Sequence, residues 1–277
     1  MRVHVYKLEN DQYAEHPRDF GEPLGKMYTW HRGYTLGGTE DLNNQNPPQS
    51  MEQWLWGEFS PNLGDFDGYY LEDGDVYNER EEAVGLGATK KFLKALTEWQ
   101  EANVAILDLY LYDHSGITIR TSPFSCPWDS GQVGFIWVTK ACCEDQGVAW
   151  ENAANYLESE IKQLDMYLTG DVWGYRCYEF DLEGFDEDLE CDLNRLDVLY
   201  QGDNLISYYA FQCRGDLTAG LSDWLERNAE ETDSCWGFYG SDHIKESCKD
   251  EAEHAGKRLA EAAQAILGAR RRIYWCM

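Results

Sequence analysis

The sequence predicts an α+β protein with a central, mostly antiparallel sheet, helices packed on it, and an acidic insertion. Three observations carry this. Residues 104–138, VAILDLYLYDHSGITIRTSPFSCPWDSGQVGFIWV, hold three β-rich runs interrupted by turn formers. Residues 88–102 and 149–168 repeat apolar side chains at helical spacing. An irregular acidic stretch, 181–233, separates two strand-like segments that would otherwise be the arms of one hairpin.

Taken in order, residues 3–8 read as a first strand, followed by a Gly- and Pro-punctuated segment. After a polar loop with Pro47 and Pro48, Ser50 is placed to cap a short helix over 51–59. The helix over 88–102 carries Phe92, Leu93, Leu96 and Trp99 on one stripe, so Trp99 is expected to be buried. It leads into the hairpin of residues 105–121, whose turn, Asp113-His114-Ser115-Gly116, includes a Gly suited to positive φ. A loop over 122–132 precedes the third strand, 133–138. The second helix, 149–168, has Ala153, Tyr156, Leu157, Ile161, Leu164 and Leu168 on its apolar stripe and Gly170 as its terminator. Strand character resumes over 172–180. A strand over 205–213, a helix over 219–229, a strand over 234–239 and a long Ala- and Glu-rich helix over 242–271 complete the chain, and the last residues, IYWCM, are expected to dock on the core. The expected organisation is a core domain of residues 1–180 and 233–277, with 181–232 inserted.

Composition restricts the function. Apolar content of 43% with 14% aromatic excludes global disorder. The sequence has no apolar run long enough to span a membrane and no charged-then-apolar leader, so a soluble, cytoplasmic protein is expected. Nine Cys without a CxxC pair point to reduced thiols. No metal or cofactor is expected, since Cys235, His243 and Cys248 lack a zinc spacing. The 51 acidic against 23 basic residues, a net charge of −28, make direct nucleic-acid binding electrostatically unfavourable.

Two acidic runs are candidate contact surfaces. Residues 65–82, DFDGYYLEDGDVYNEREE, contain eight carboxylates and one Arg but no EF-hand frame. Interleaved aromatics make Asp65, Asp67, Tyr69, Tyr70, Asp73, Asp75 and Tyr77 candidates for holding a protein partner. In the second run, DLEGFDEDLECDLNRLD, the candidates are Asp186, Glu187, Asp188 and Glu190. A plain solvated acidic surface is the competing reading.

The loop after the hairpin concentrates reactive groups. Cys126 as nucleophile, His114 as base and Asp129 as orienting acid would make a catalytic set, provided that the loop folds back along the hairpin. A Cys beside Pro in an aromatic loop is more often packing, and no hydrolase, phosphate-loop or zinc-protease motif supports the chemistry. His31 and Arg32, in WHRGYTLG, either enter a pocket or satisfy backbone carbonyls.

The segments WHRGYTLG, YLYDHSGITIRTSPFSCPWDSGQVGFIWV, YLTGDVWGY and DSCWGFYG resemble a widespread, largely uncharacterised family of proteins encoded by bacteriophages, prophages and other mobile elements. The likeness covers residues 24–38, 103–175 and 233–240, while residues 181–232 depart from it, because the family joins its last two strands by a short turn. It brings no activity, but it implies a setting in which accessory genes overcome host defence.

That setting and the charge together lead to the expectation of an anti-defence inhibitor. Its partner would be a host defence protein with a basic surface, such as a restriction, CRISPR or Gabija-type nuclease complex, and a homo-oligomer is also allowed. The alternatives are a cysteine-dependent hydrolase or transferase using Cys126 and His114, and a protein that sequesters a nucleotide immune signal through His31, Arg32, His114 and Arg120.

Overall fold

A computed structural model describes residues 1–48, 54, 69–72, 75–78 and 80–274. In chain order the first elements are β1 (Arg2–Asn10), β2 (Lys26–Trp30), β3 (Leu42–Asn44), β4 (Tyr70–Glu72), β5 (Asp75–Tyr77), α1 (Leu86–Asn103), β6 (Val104–Asp113), β7 (Ile117–Arg120), β8 (Ser130–Thr139), α2 (Lys140–Asp145) and α3 (Ala153–Thr169). They are followed by β9 (Val172–Asp181), α4 (Glu190–Leu193), β10 (Asp197–Gln201), β11 (Leu205–Phe211), α5 (Ala219–Asn228), β12 (Glu230–Tyr239) and α6 (Ser241–Tyr274). The class is α+β: two mixed five-stranded sheets with helices packed on them. No helix among the described residues is long and apolar enough to cross a membrane. The expected capping of a helix at 51–59 by Ser50 lies outside the described residues, as does the expected docking of IYWCM, of which only the backbone of residues 273–274 is described.

The chain divides into two compact units, His16–Thr169 and Met1–Glu15 with Gly170–Met277. In the first, the strands run β3-β2-β8-β6-β7, with only β2 and β3 parallel. The three β-rich runs of 104–138 are thus β6, β7 and β8, and β8 is the middle strand. Successive β8 side chains alternate between two cores. Ile136 and Val138 pack with Leu157, Ile161 and Leu164 of α3, while Phe135 and Trp137 pack with Phe92 and Leu96 of α1. Gly134 permits the close approach of β2, since a Cβ there would lie 2.3 Å from the Tyr28 carbonyl oxygen. Trp99 is only half-buried, so the weight of the α1 stripe falls on the fully buried Phe92 and Leu96 rather than on Trp99 as expected.

This unit also holds a polar hub. Arg18, 5% exposed, donates from Nε to Asp41 Oδ2 (2.5 Å), from Nη2 to Asp41 Oδ1 (2.9 Å) and the Gly25 carbonyl (2.6 Å), and from Nη1 to Glu160 Oε2 (2.9 Å). The two carboxylates then accept backbone N–H groups, Asp41 from Met27 and Gly38, Glu160 from Leu24 and Gly25. Burial opposes the Arg18 charge, yet the carboxylates hold its pKa above the ordinary arginine value.

The second unit is built on the order β10-β11-β1-β9-β12, in which β1 and β11 are the parallel pair. The expected β9–β12 hairpin pairing is present. Residues 181–232, however, are not an appendage to a core of 1–180 and 233–277, because they supply β10, β11 and α5 to this same sheet. The physical reason lies in β1, whose residues 3–8 are buried without a break, as in a strand covered on both faces and paired on both edges. Val3 and Val5 pack with Leu221 and Leu225 of α5, and Tyr6 and Leu8 with Ile244, Cys248 and Ala252 of α6.

Candidate functional site

The candidate site lies at the hairpin end of the first unit's sheet. Ser115 (φ 61°) and Gly116 (φ 150°) turn the chain tightly between β6 and β7, leaving His114 at the tip with 64% of its side chain exposed. The loop that follows does fold back. Asp113 N–H donates to the Asp129 carbonyl (2.8 Å), and Ser130 pairs with Tyr112 at the start of β8. Arg120 donates to the Ser122 and Pro123 carbonyls and lies over the Phe124 ring at 3.8 Å, and Phe124 in turn meets Tyr112. Val133 is the extra residue of a β-bulge between the Leu109–Gly134 and Tyr110–Gln132 pairs, and such bulges redirect the end of a strand.

This refolding brings together the three groups picked out as a catalytic set, but in a different order. Asp129 Oδ2 lies 3.4 Å from His114 Nδ1 and 3.7 Å from Cys126 Sγ, so the carboxylate stands between the imidazole and the thiol. A relay needs the base between nucleophile and acid. Here a thiolate on Cys126 would face a like charge, and the thiol instead has the carboxylate as its acceptor. The Ser130 hydroxyl donates to the Cys126 carbonyl (2.5 Å), fixing the loop's backbone.

The WHRGYTLG segment meets the same place. His31 Nδ1 accepts the N–H groups of Gly33 and Tyr34 (both 3.1 Å), which leaves the proton on Nε2. Tyr34 stacks on His31 and donates to Asp113 Oδ2 (3.2 Å), and the Asp113 charge pushes the Tyr34 hydroxyl pKa above its usual value. A depression of about 400 Å³ results, lined by His31, Asp113, Trp128 and Asp129 among others, with Trp128 91% exposed. Of the cations considered for an anionic ligand, Arg120 is engaged by backbone carbonyls and His114 by Asp129, while Arg32 is exposed. Tyr34 and Asp113 were missed in the sequence, where the spacing between WHRGY and the hairpin turn gives no sign that they touch.

The acidic candidates fare unequally. Asp65, Asp67 and Asp73 lie outside the described residues, and Tyr70 is described only as part of β4. Asp75 is exposed and Tyr77 half-buried, but Tyr69 packs on the buried Phe92 ring at 6.2 Å, so this aromatic serves the core. In the second run, Asp186, Glu187, Asp188 and Glu190 are all exposed, and none of them forms an ion pair with another described residue. Their backbone is held firmly. Phe185 is buried between Phe180 (5.0 Å) and Trp224 (4.7 Å), and Asp186 caps a turn of 3₁₀ helix by accepting from the Asp188 N–H (3.0 Å).

Among the described residues no group of three His, Cys, Asp or Glu side chains is arranged to hold a metal ion. Compared with family models, curated proteins and solved structures, the chain shows no match, and what these sites can do follows from their own geometry.

Proposed function

We propose that the chain is an acidic protein-binding inhibitor of phage or mobile-element origin that blocks a host defence nuclease or DNA-binding complex by occupying its basic surface. The observation that supports this reading is the array Asp186, Glu187, Asp188 and Glu190, exposed, without cationic partners among the described residues, and anchored through Phe185. Carboxylates on an ordered backbone lose less freedom on binding than those on a loose loop, so more of their Coulomb attraction survives as affinity. The setting proposed with it, the host cytoplasm, is the one that the resemblance stated from the sequence implies.

Reversing all four carboxylates, Asp186→Lys, Glu187→Lys, Asp188→Lys and Glu190→Lys, should abolish the protein's ability to restore phage plating on hosts carrying restriction, CRISPR or Gabija-type defence. Thermal stability should hold within about 0.5 kcal/mol for each of the changes at Glu187, Asp188 and Glu190, or rise as self-repulsion is relieved, while Asp186→Lys also removes the cap on the Asp188 N–H and should cost about 1 kcal/mol. Raising salt should weaken binding of the unmodified chain to its target, since screening shortens the field to about 8 Å at physiological strength. Undiminished protection of phage by the reversed variant would reject the proposal.

A second reading, the cysteine-dependent enzyme, is favoured by the convergence of Cys126, Asp129 and His114. The carboxylate-centred order weighs against it. Cys126→Ser should therefore leave the phenotype intact, the hydroxyl taking over the thiol's donation to Asp129. Loss of function at an unchanged melting temperature would promote the enzyme.

A further inference from the structure

A further cavity lies in neither site. It is a cleft of about 780 Å³ in the β1–β9–β12 unit, within the range of small-ligand sites. Two aromatic rings line it, Tyr13 at 92% exposure and Trp236 at 41%. Trp236 is displayed there by three devices. The register of β12 against β9 slips between Cys235 and Phe238, freeing Trp236 from the ladder. Gly237 follows at φ 83°, a conformation glycine adopts without strain. Opposite, Gly174 has no Cβ, and one would lie 2.0 Å from Trp236 Cε3, so the indole rests directly on the β9 backbone. Tyr13 sits on a turn pinned by the Asp11 N–H to the Val172 carbonyl (2.8 Å) and by Asp11 Oδ1, which accepts the Tyr13 N–H (3.0 Å).

The polar lining selects the ligand by charge. Arg176 lies 5.8 Å from the Trp236 ring centroid and 3.8 Å from Glu9, so an incoming cation would meet a resident guanidinium over the indole. An anion would meet Glu9 and Asp11, two carboxylates against one guanidinium, within a chain of net charge −28. A neutral ligand escapes both penalties. Beside the rings the cleft offers the exposed amides of Gln12 and Gln212, planar groups that each present donors and an acceptor. Vicinal hydroxyls, each both donor and acceptor, match such groups in pairs, and the flat C–H face of a pyranose covers an aromatic ring. We infer that this cleft is a binding site for a neutral saccharide, with Trp236 and Tyr13 as the stacking surfaces and Gln12, Gln212 and Arg176 as the hydroxyl partners.

The test is saturation-transfer NMR on the full-length chain. The probes are glucose, galactose, mannose, N-acetylglucosamine, maltose, lactose and chitobiose, with adenosine and arginine amide as comparators. At least one saccharide should bind saturably, and Tyr13→Ala and Trp236→Ala should each weaken it about tenfold. Tyr13 is too exposed for its removal to unfold the sheet, so that variant reads binding alone. The proposal is overturned if no saccharide binds, if only adenosine or arginine amide does, or if saccharide affinity is unchanged in Tyr13→Ala.

Discussion

Replacing Arg18 by Met should destabilise the His16–Thr169 unit by about 3–5 kcal/mol, the usual cost of removing one partner from a buried ion pair. Methionine fills much of the space but leaves the Asp41 carboxylate, whose side chain is 6% exposed, without the fork that neutralises it. The Gly25 carbonyl also loses its donor. The damage should reach beyond one side chain, because Asp41 and Glu160 position the backbone entering β2 through Leu24, Gly25 and Met27. Arg18→Lys should recover little, since a single ammonium cannot reproduce four directed contacts. Urea unfolding measures this directly. A loss below about 1 kcal/mol for Arg18→Met would mean that the hub is dispensable.

Phe135→Ala should cost a similar amount, about 3–5 kcal/mol. The ring is fully buried on the middle strand, stacked on Tyr28 at 5.4 Å and 5° and surrounded by Trp30 (6.3 Å), Trp54 (5.0 Å) and Trp137 (5.6 Å). Large rigid indoles cannot close a cavity of that shape as aliphatic chains would, so the site relaxes poorly. Three tryptophans border the void, and their emission should shift to the red in step with the loss in midpoint. An unshifted spectrum with a cost near that of a surface substitution would place Phe135 outside the core.

Much of the architecture was legible in the sequence, wherever a periodic pattern coincided with burial on one side. The α3 stripe is of this kind, except for Tyr156, which was expected on it and is exposed, and so is the β6–β7 hairpin with its Gly-containing turn; the pairing of β9 with β12 followed instead from the two strand-like segments that flank the acidic stretch. The second sheet was not legible as a sheet. Its parallel β1–β11 contact joins Val3 to Ile206 with no local signal at either end, and the acidic run between β9 and β11 drew attention to charge rather than to the strands beyond it. Within the site, the proximity of Cys126, Asp129 and His114 could be anticipated from one loop, but their order could not, because it depends on how the loop folds back along the hairpin. The Arg18 hub left no trace either: a single buried Arg among Gly and Pro has no period, and its partners lie 23 and 142 residues away.

The central position of β1 has a consequence for synthesis. Arg2 pairs with Leu205 on one side and Asp181 on the other, so β1 leaves the ribosome long before either of its neighbours. Translation at about 5–20 residues per second separates residue 2 from residue 205 by on the order of 10–40 s. Until β9 emerges, a strand buried on both faces in the folded unit has no neighbour, and until β11 emerges it has only one, whereas His16–Thr169 is contiguous and can close as soon as it emerges. Nascent chains halted before β9 should therefore carry one folded unit behind an unfolded N-terminal segment that chaperones bind, and the segment should become fully protected only once residues beyond 211 are outside the exit tunnel.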